Sequence, residues 1–215
     1  MSMNTAKLDA NGFTLTELLV TIVIMGIAAT AVLPQLQKRI EQSAVDSYTD
    51  NVEMGLAQLK QNMLSRQVGC TFIFPAGAGT ETAVNPIDFE VRTVLDTSDP
   101  EIDCTSKVGS FSKLRILNLP RHPGTGQEEA ALKANQKVEL LISQAELTLT
   151  SIGGVAAPLS SGNQQPFVIR LRSKKLHQQN EGFERCVQLE PMTGTLIRGT
   201  WIGSGFGDGV CTQNR

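Results

Sequence analysis

Few residues in this chain are placed to do chemistry. Glu17 is the only charge within residues 13–33, FTLTELLVTIVIMGIAATAVL. A carboxylate in an apolar run of that length costs roughly 2.5–3.5 kcal/mol on membrane insertion, so a chain that keeps one there has a use for it, and pairing with a cation is the obvious chemistry. Five basic residues, Arg170, Arg172, Lys174, Lys175 and Arg185, form a local excess that Glu181 and Glu184 dilute. They are candidate DNA contacts through phosphate, or equally the solvated face of an edge strand whose charges deter aggregation. The histidines, His122 and His177, sit in polar stretches with no acid–base pair or nucleophile motif around them. GSGFGDG at 203–209 lacks the strand-to-helix setting of a phosphate-binding glycine motif and reads as a loop. Nothing here calls for an enzyme or a cofactor.

Four cysteines stand singly at Cys70, Cys104, Cys186 and Cys211. Without a C-x-x-C and with two histidines in the chain, a tetrahedral zinc site has no ligand set, and no metal site is expected. Disulfides fit better and require an oxidising compartment. Three pairings exist on paper. Cys186 with Cys211 and Cys70 with Cys104 are the expected pairs, since each closes a local loop.

These residues need elements to hold them. The 215 residues, 40% hydrophobic with a formal charge of −2, suit one principal domain and do not advertise a polyanionic partner. Residues 13–33 are long enough to span a bilayer as a helix. Beyond Pro34 the pattern turns amphipathic, with Leu36, Ile40, Val45, Tyr48, Val52, Leu56, Leu59 and Met63 recurring every three to five residues. One helix is thus expected from Phe13 to about Gln67, kinked near Pro34 and stopped by Gly69. Strands are expected at 70–74, 87–95, 113–117, 167–172, 185–190 and 195–202, the last two joined through Pro191-Met192-Thr193-Gly194. Residues 137–151 carry both helical and strand periodicities and stay open, with a helix starting near Glu128 as one alternative; 75–86, 119–128 and 151–166 read as loops.

A secretory signal would put its basic region directly before the apolar run, with Ala29-Thr30-Ala31 as its cleavage site. Lys7 is instead separated from that run by polar residues, and Glu17 would interrupt the apolar core. The order Gly12-Phe13-Thr14-Leu15-Thr16-Glu17, followed by the apolar segment with Gly26 and then Pro34, resembles the N-terminus of type IV prepilins and pseudopilins. The resemblance implies a peptidase cut after Gly12, methylation of the new Phe13 amine, and a Glu17 carboxylate that meets the amine of a neighbouring subunit.

The expected plan is α+β: a long kinked N-terminal helix, transmembrane in front and amphipathic behind, packed on an antiparallel β-sheet head. Residues 1–12 would be a leader, 13–34 the transmembrane and assembly helix, 35–68 its amphipathic continuation, and 69–215 a periplasmic or extracellular head. The implied function is a structural subunit of a type IV pilus or type II secretion pseudopilus, a minor one given its length and four cysteines. Its implied partners are other pilin subunits, the prepilin peptidase, an inner-membrane assembly platform and, before assembly, the membrane itself. The chain would be a single-pass inner-membrane protein with its head in the periplasm, and later part of a filament. A DNA-binding minor pilin of an uptake system is the alternative within the family; a membrane-anchored enzyme or binding protein is the alternative outside it.

Overall fold

The computed structural model describes residues 14–67, 69–74, 79–94, 114–115, 134, 136–156 and 165–213. The chain divides into two compact units, Met1–Arg39 and Ile40–Arg215. The first described element, α1 (Leu15–Arg66), begins in the first unit and ends in the second. Its front part is apolar, with Leu18, Leu19, Ile22, Ile24, Ile27 and Leu33 exposed. Pro34 lies inside α1, whose helical backbone continues through it although proline has no N–H to offer the carbonyl of Thr30.

In the second unit, α1 buries Val45, Tyr48, Val52, Leu56, Leu59 and Met63. Their spacing of three and four residues puts them on one face, and full burial of each large apolar side chain is worth about 1.5–3 kcal/mol. Thr49 is also buried on this face and satisfies its hydroxyl on the Val45 carbonyl at 2.7 Å.

Ten strands follow among the described residues: β1 (Cys70–Ile73), β2 (Val91–Val94), β3 (Leu114–Arg115), β4 (Val138–Ile142), β5 (Glu146–Leu149), β6 (Val155–Ala156), β7 (Phe167–Ser173), β8 (Arg185–Leu189), β9 (Leu196–Ile202) and β10 (Val210–Gln213). Two short helices, α2 (Pro86–Glu90) and α3 (Lys174–Gln178), complete the described elements. The strands form two antiparallel sheets, in the orders β3-β2-β1-β5-β6 and β10-β9-β8-β7-β4. Both contribute to a single core with the buried face of α1, through Phe72, Leu147 and Leu149 from one and Leu140, Ile169 and Val187 from the other.

The α+β architecture, the long helix and the β8–β9 hairpin agree with the sequence reading. At the hairpin turn Met192 and Gly194 take positive φ angles of 65° and 60°. A Cβ on Gly194 would overlap the Gly153 carbonyl, so glycine is required there. Residues 137–151 resolve into β4 and β5, joined by a short turn whose Ser143 exchanges hydrogen bonds with Val168 at 2.8 and 2.9 Å.

Several expectations need correction. Residues 87–95 are not one strand: Pro86 opens α2, and strand structure is confined to Val91–Val94. Proline favours the first turn of a helix, where its missing N–H is not needed, and the turn carries Phe89 into the core, where its ring stacks on Phe74. Of the strand expected at 113–117, Leu114–Arg115 is described, paired with β2. β7 is an interior strand between β8 and β4 rather than an edge. α3 was not anticipated, although Ser173 caps it by accepting from the Leu176 N–H. Nor was β10, which follows the glycine-rich loop and pairs with β9. The loop expected at 151–166 contains the two-residue strand β6. The loop expected at 119–128 and a helix start near Glu128 lie outside the described residues.

Candidate functional site

α1 is long and apolar enough near the N-terminus to cross a membrane. Its first turn is closed by a reciprocal pair of hydrogen-bonding residues. Glu17 Oε2 accepts from both the backbone N–H and the hydroxyl of Thr14, each at 2.9 Å, while Thr14 Oγ1 accepts from the Glu17 N–H at 3.3 Å. This is a capping box, which satisfies helix donors that otherwise lack partners and places a carboxylate at the positive end of the helix dipole. Farther along, Thr21 and Thr30 return their hydroxyls to the carbonyls of Leu18 and Ile27, so neither presents an unsatisfied donor on the apolar surface. Gly12 and Phe13 lie outside the described residues.

The five basic residues singled out in the sequence do not share one environment. Arg170 is buried, 2% exposed at its side chain, and pairs with Glu184 at 2.7 Å and Glu81 at 3.0 Å. Its guanidinium also stacks on Trp201 and Phe206, 5.1 and 5.2 Å from the ring centroids. Arg172 bonds Glu139 at 2.6 Å and reaches Glu184 at 3.5 Å. Arg185, on the opposite face of the sheet, donates to Asp46 of α1 and to Thr200, and covers the Phe183 ring. Lys174 donates to Asn85 at 3.1 Å, and Lys175 is exposed. The arginines are thus engaged in the fold: Arg172 and Arg185 meet carboxylates of neighbouring elements, and Arg170 lies under a second layer of protein rather than solvent.

That second layer is the loop at residues 203–209, whose Ser204 and Phe206 cover Arg170 on the outer face of the sheet before the chain enters β10. Cys186 and Cys211 are joined by a disulfide there, in a small apolar cluster with Val168 and Trp201. Gly199 of β9 is approached closely by β10; a Cβ on it would overlap the Thr212 carbonyl. Asp208 ties the loop together by accepting from the Ser204 hydroxyl at 2.7 Å and from the Gly205 and Ser204 N–H groups. Those donors, the Ser204 hydroxyl foremost, lower its carboxyl from 3.8 to about 2. Cys70 is buried and disulfide-bonded as well; its expected partner, Cys104, lies outside the described residues. His177 lines a small cavity of about 140 Å³ with Gln42, Arg172 and Glu184. Among the described residues no cluster of His, Cys, Asp and Glu is arranged to hold a metal ion.

Sequence periodicity could not reveal the Arg170 site. An arginine alternating with apolar residues in FVIRLRS reads as a solvent-facing position, and its partners come from residues 81, 184, 201 and 206.

Comparison with known proteins bears on the N-terminal segment. Residues 8–33 match the family model described as the prokaryotic N-terminal methylation motif. No curated protein and no solved structure matches the chain. By that motif, on the helix that bears it, the chain carries the N-terminal signature of the type IV pilin and pseudopilin family.

Proposed function

We propose that this chain is a structural subunit, not an enzyme, of a type IV pilus or pseudopilus filament, made as a membrane-anchored precursor, cut between Gly12 and Phe13, and methylated on Phe13. The observation that carries the reading is the methylation motif at residues 8–33, continuous with a helix apolar enough to cross a membrane. Before assembly the helix anchors the chain in the inner membrane with the head in the periplasm. After cleavage by the peptidase and assembly at an inner-membrane platform, it packs with those of other pilin subunits.

In this reading Glu17 has two successive roles. In the single chain it caps α1 through Thr14 using Oε2. In a filament its carboxylate neutralises the Phe13 ammonium of a neighbour, because leaving one such buried charge unpaired costs about 3–5 kcal/mol. Pro34, which removes one helical hydrogen bond, is where α1 bends to pack among its neighbours. The length of the head and the four cysteines favour a minor subunit. The test is Glu17→Ala in cells that assemble the filament. The variant should still insert and be processed, yet remain in the membrane fraction when filaments are sheared off; recovery in filaments at the wild-type level would refute the assembly role.

A further inference from the structure

Two cross-strand pairs lie side by side on the outer face of the second sheet. Arg170 of β7 stands opposite Cys186 of β8, and Trp201 of β9 stands opposite Cys211 of β10. The disulfide joins one member of each pair, and the stacking of Arg170 on Trp201 joins the other two. The covalent and noncovalent links therefore tie together the same two positions of the sheet.

The noncovalent link has supports of its own beside the covalent one. Glu184 holds the guanidinium from the β8 side at 2.7 Å, Glu81 holds it at 3.0 Å, and the Ser204 carbonyl accepts from it at 3.4 Å. Glu81 also accepts from the Phe206 N–H at 2.7 Å, so one carboxylate grips both the arginine and the loop that leads into Cys211. The Phe206 ring also lies over the guanidinium, edge-on to the Trp201 ring. A buried guanidinium satisfied on several sides and in contact with two aromatic rings holds its neighbours in a fixed arrangement.

We propose that Arg170 and Trp201 are positioning residues for disulfide formation: their contact folds residues 203–209 onto the sheet before oxidation and presents Cys211 to Cys186 rather than to Cys70 or Cys104. Four thiols allow three complete pairings, and a noncovalent clasp that raises the effective concentration of one thiol at another selects among them. The step itself is ordinary exchange with a disulfide donor. One protein thiolate attacks the donor to give a mixed disulfide and releases one donor thiol. The second protein thiolate then displaces the other donor thiol, so the donor takes up two electrons and the protein thiols lose two protons.

The experiment reoxidises the full chain in detergent, from the reduced and unfolded state, with a mixture of glutathione and glutathione disulfide. Alkylation at intervals and non-reducing peptide mapping then give the rate and share of each pairing. Arg170→Met should form the Cys186–Cys211 pair roughly tenfold more slowly, with Cys186 and Cys211 trapped in pairs with Cys70 and Cys104. Arg170→Lys, which keeps a charge for Glu184 and Glu81, should recover part of the rate. Arg185→Met, which breaks contacts on the other face, should pair its cysteines as the wild type does. Wild-type pairing in Arg170→Met, or equal scrambling in Arg185→Met, overturns the proposal. Should Arg170→Met not fold, the double variant Cys186→Ser and Cys211→Ser decides it through Trp201, the only tryptophan in the chain. Shielded, blue-shifted emission without the disulfide supports a clasp that forms first; emission as exposed as in the unfolded chain overturns it.

Discussion

Arg185 donates from Nε to Asp46 Oδ1 at 2.6 Å, tying β8 to α1 where the helix enters the second unit. Arg198 continues the same seam by bridging Asp50 and Glu53, and Lys60 ends it by donating to the Thr193 and Gly194 carbonyls at 3.1 and 2.8 Å. Asp46, Asp50, Glu53 and Lys60 recur at intervals of three, four and seven residues, so one stripe of α1 supplies the helix-side partners of this seam. This polar seam runs beside the apolar face and sets the rotation and axial register of the helix on the β8–β9 hairpin.

Asp46→Asn should therefore lower stability by about 1–2 kcal/mol, as expected when a hydrogen bond to a charged group loses its charge. Urea unfolding of wild type and variant at low and high salt is the check. The difference should shrink as salt rises, because the pair is partly exposed; a salt-independent difference would assign the effect to packing instead.

The disulfide closes a loop between residues 25 apart in sequence. Chain-entropy estimates give a loop of this size about 3 kcal/mol of stabilisation, which Cys186→Ser with Cys211→Ser should remove. Non-reducing peptide mapping of exported protein should recover the Cys186–Cys211 peptide, and two free thiols there would contradict the arrangement of β8, β9 and β10.

Gly199→Ala tests the close approach of β10 to β9. The added Cβ overlaps the Thr212 carbonyl, which is backbone and cannot step aside without moving β10. A loss of about 1–3 kcal/mol, typical of overpacking, is expected, with Trp201 emission shifting toward that of exposed indole. An unchanged melting temperature would show that β10 does not lie there.

Asp208 gives the C-terminal loop a pH dependence with a defined sign. Its folded pKa lies below its ordinary value, about 2 against 3.8, so its contribution is present in full above the higher value and is lost as pH falls through the lower. Asp208→Asn should accordingly lie below wild type in thermal stability at pH 5 and approach it toward pH 2. Parallel curves across that range would contradict the Ser204 and Gly205 contacts.

Much of this molecule was legible in its sequence because the signals were local. The apolar run with Glu17, the heptad-like row from Val45 to Met63, and the turn residues at 191–194 each announce an element within a few residues. The unread parts depend on distant partners. Arg170 looked like a surface charge because the layer that buries it comes from residues 81 and 203–209, and the glycines of that layer looked like slack rather than a wrap around Trp201. Gly209 shows why: a Cβ there would overlap the indole ring. The turn at Pro86 was overlooked because Ile87, Phe89 and Val91 alternate as a strand does, while the proline that starts the helix lies just before them.

The central claim is that the chain is a processed pilin-type subunit, and the N-terminus of the mature protein tests it most directly. Mass spectrometry of the chain purified from membranes after co-expression with a prepilin peptidase should find a first residue of Phe13 carrying a methyl group on its amine. An intact Met1 would contradict the account in favour of an unprocessed anchor, and a start at Val32 would contradict it in favour of an ordinary secretory signal.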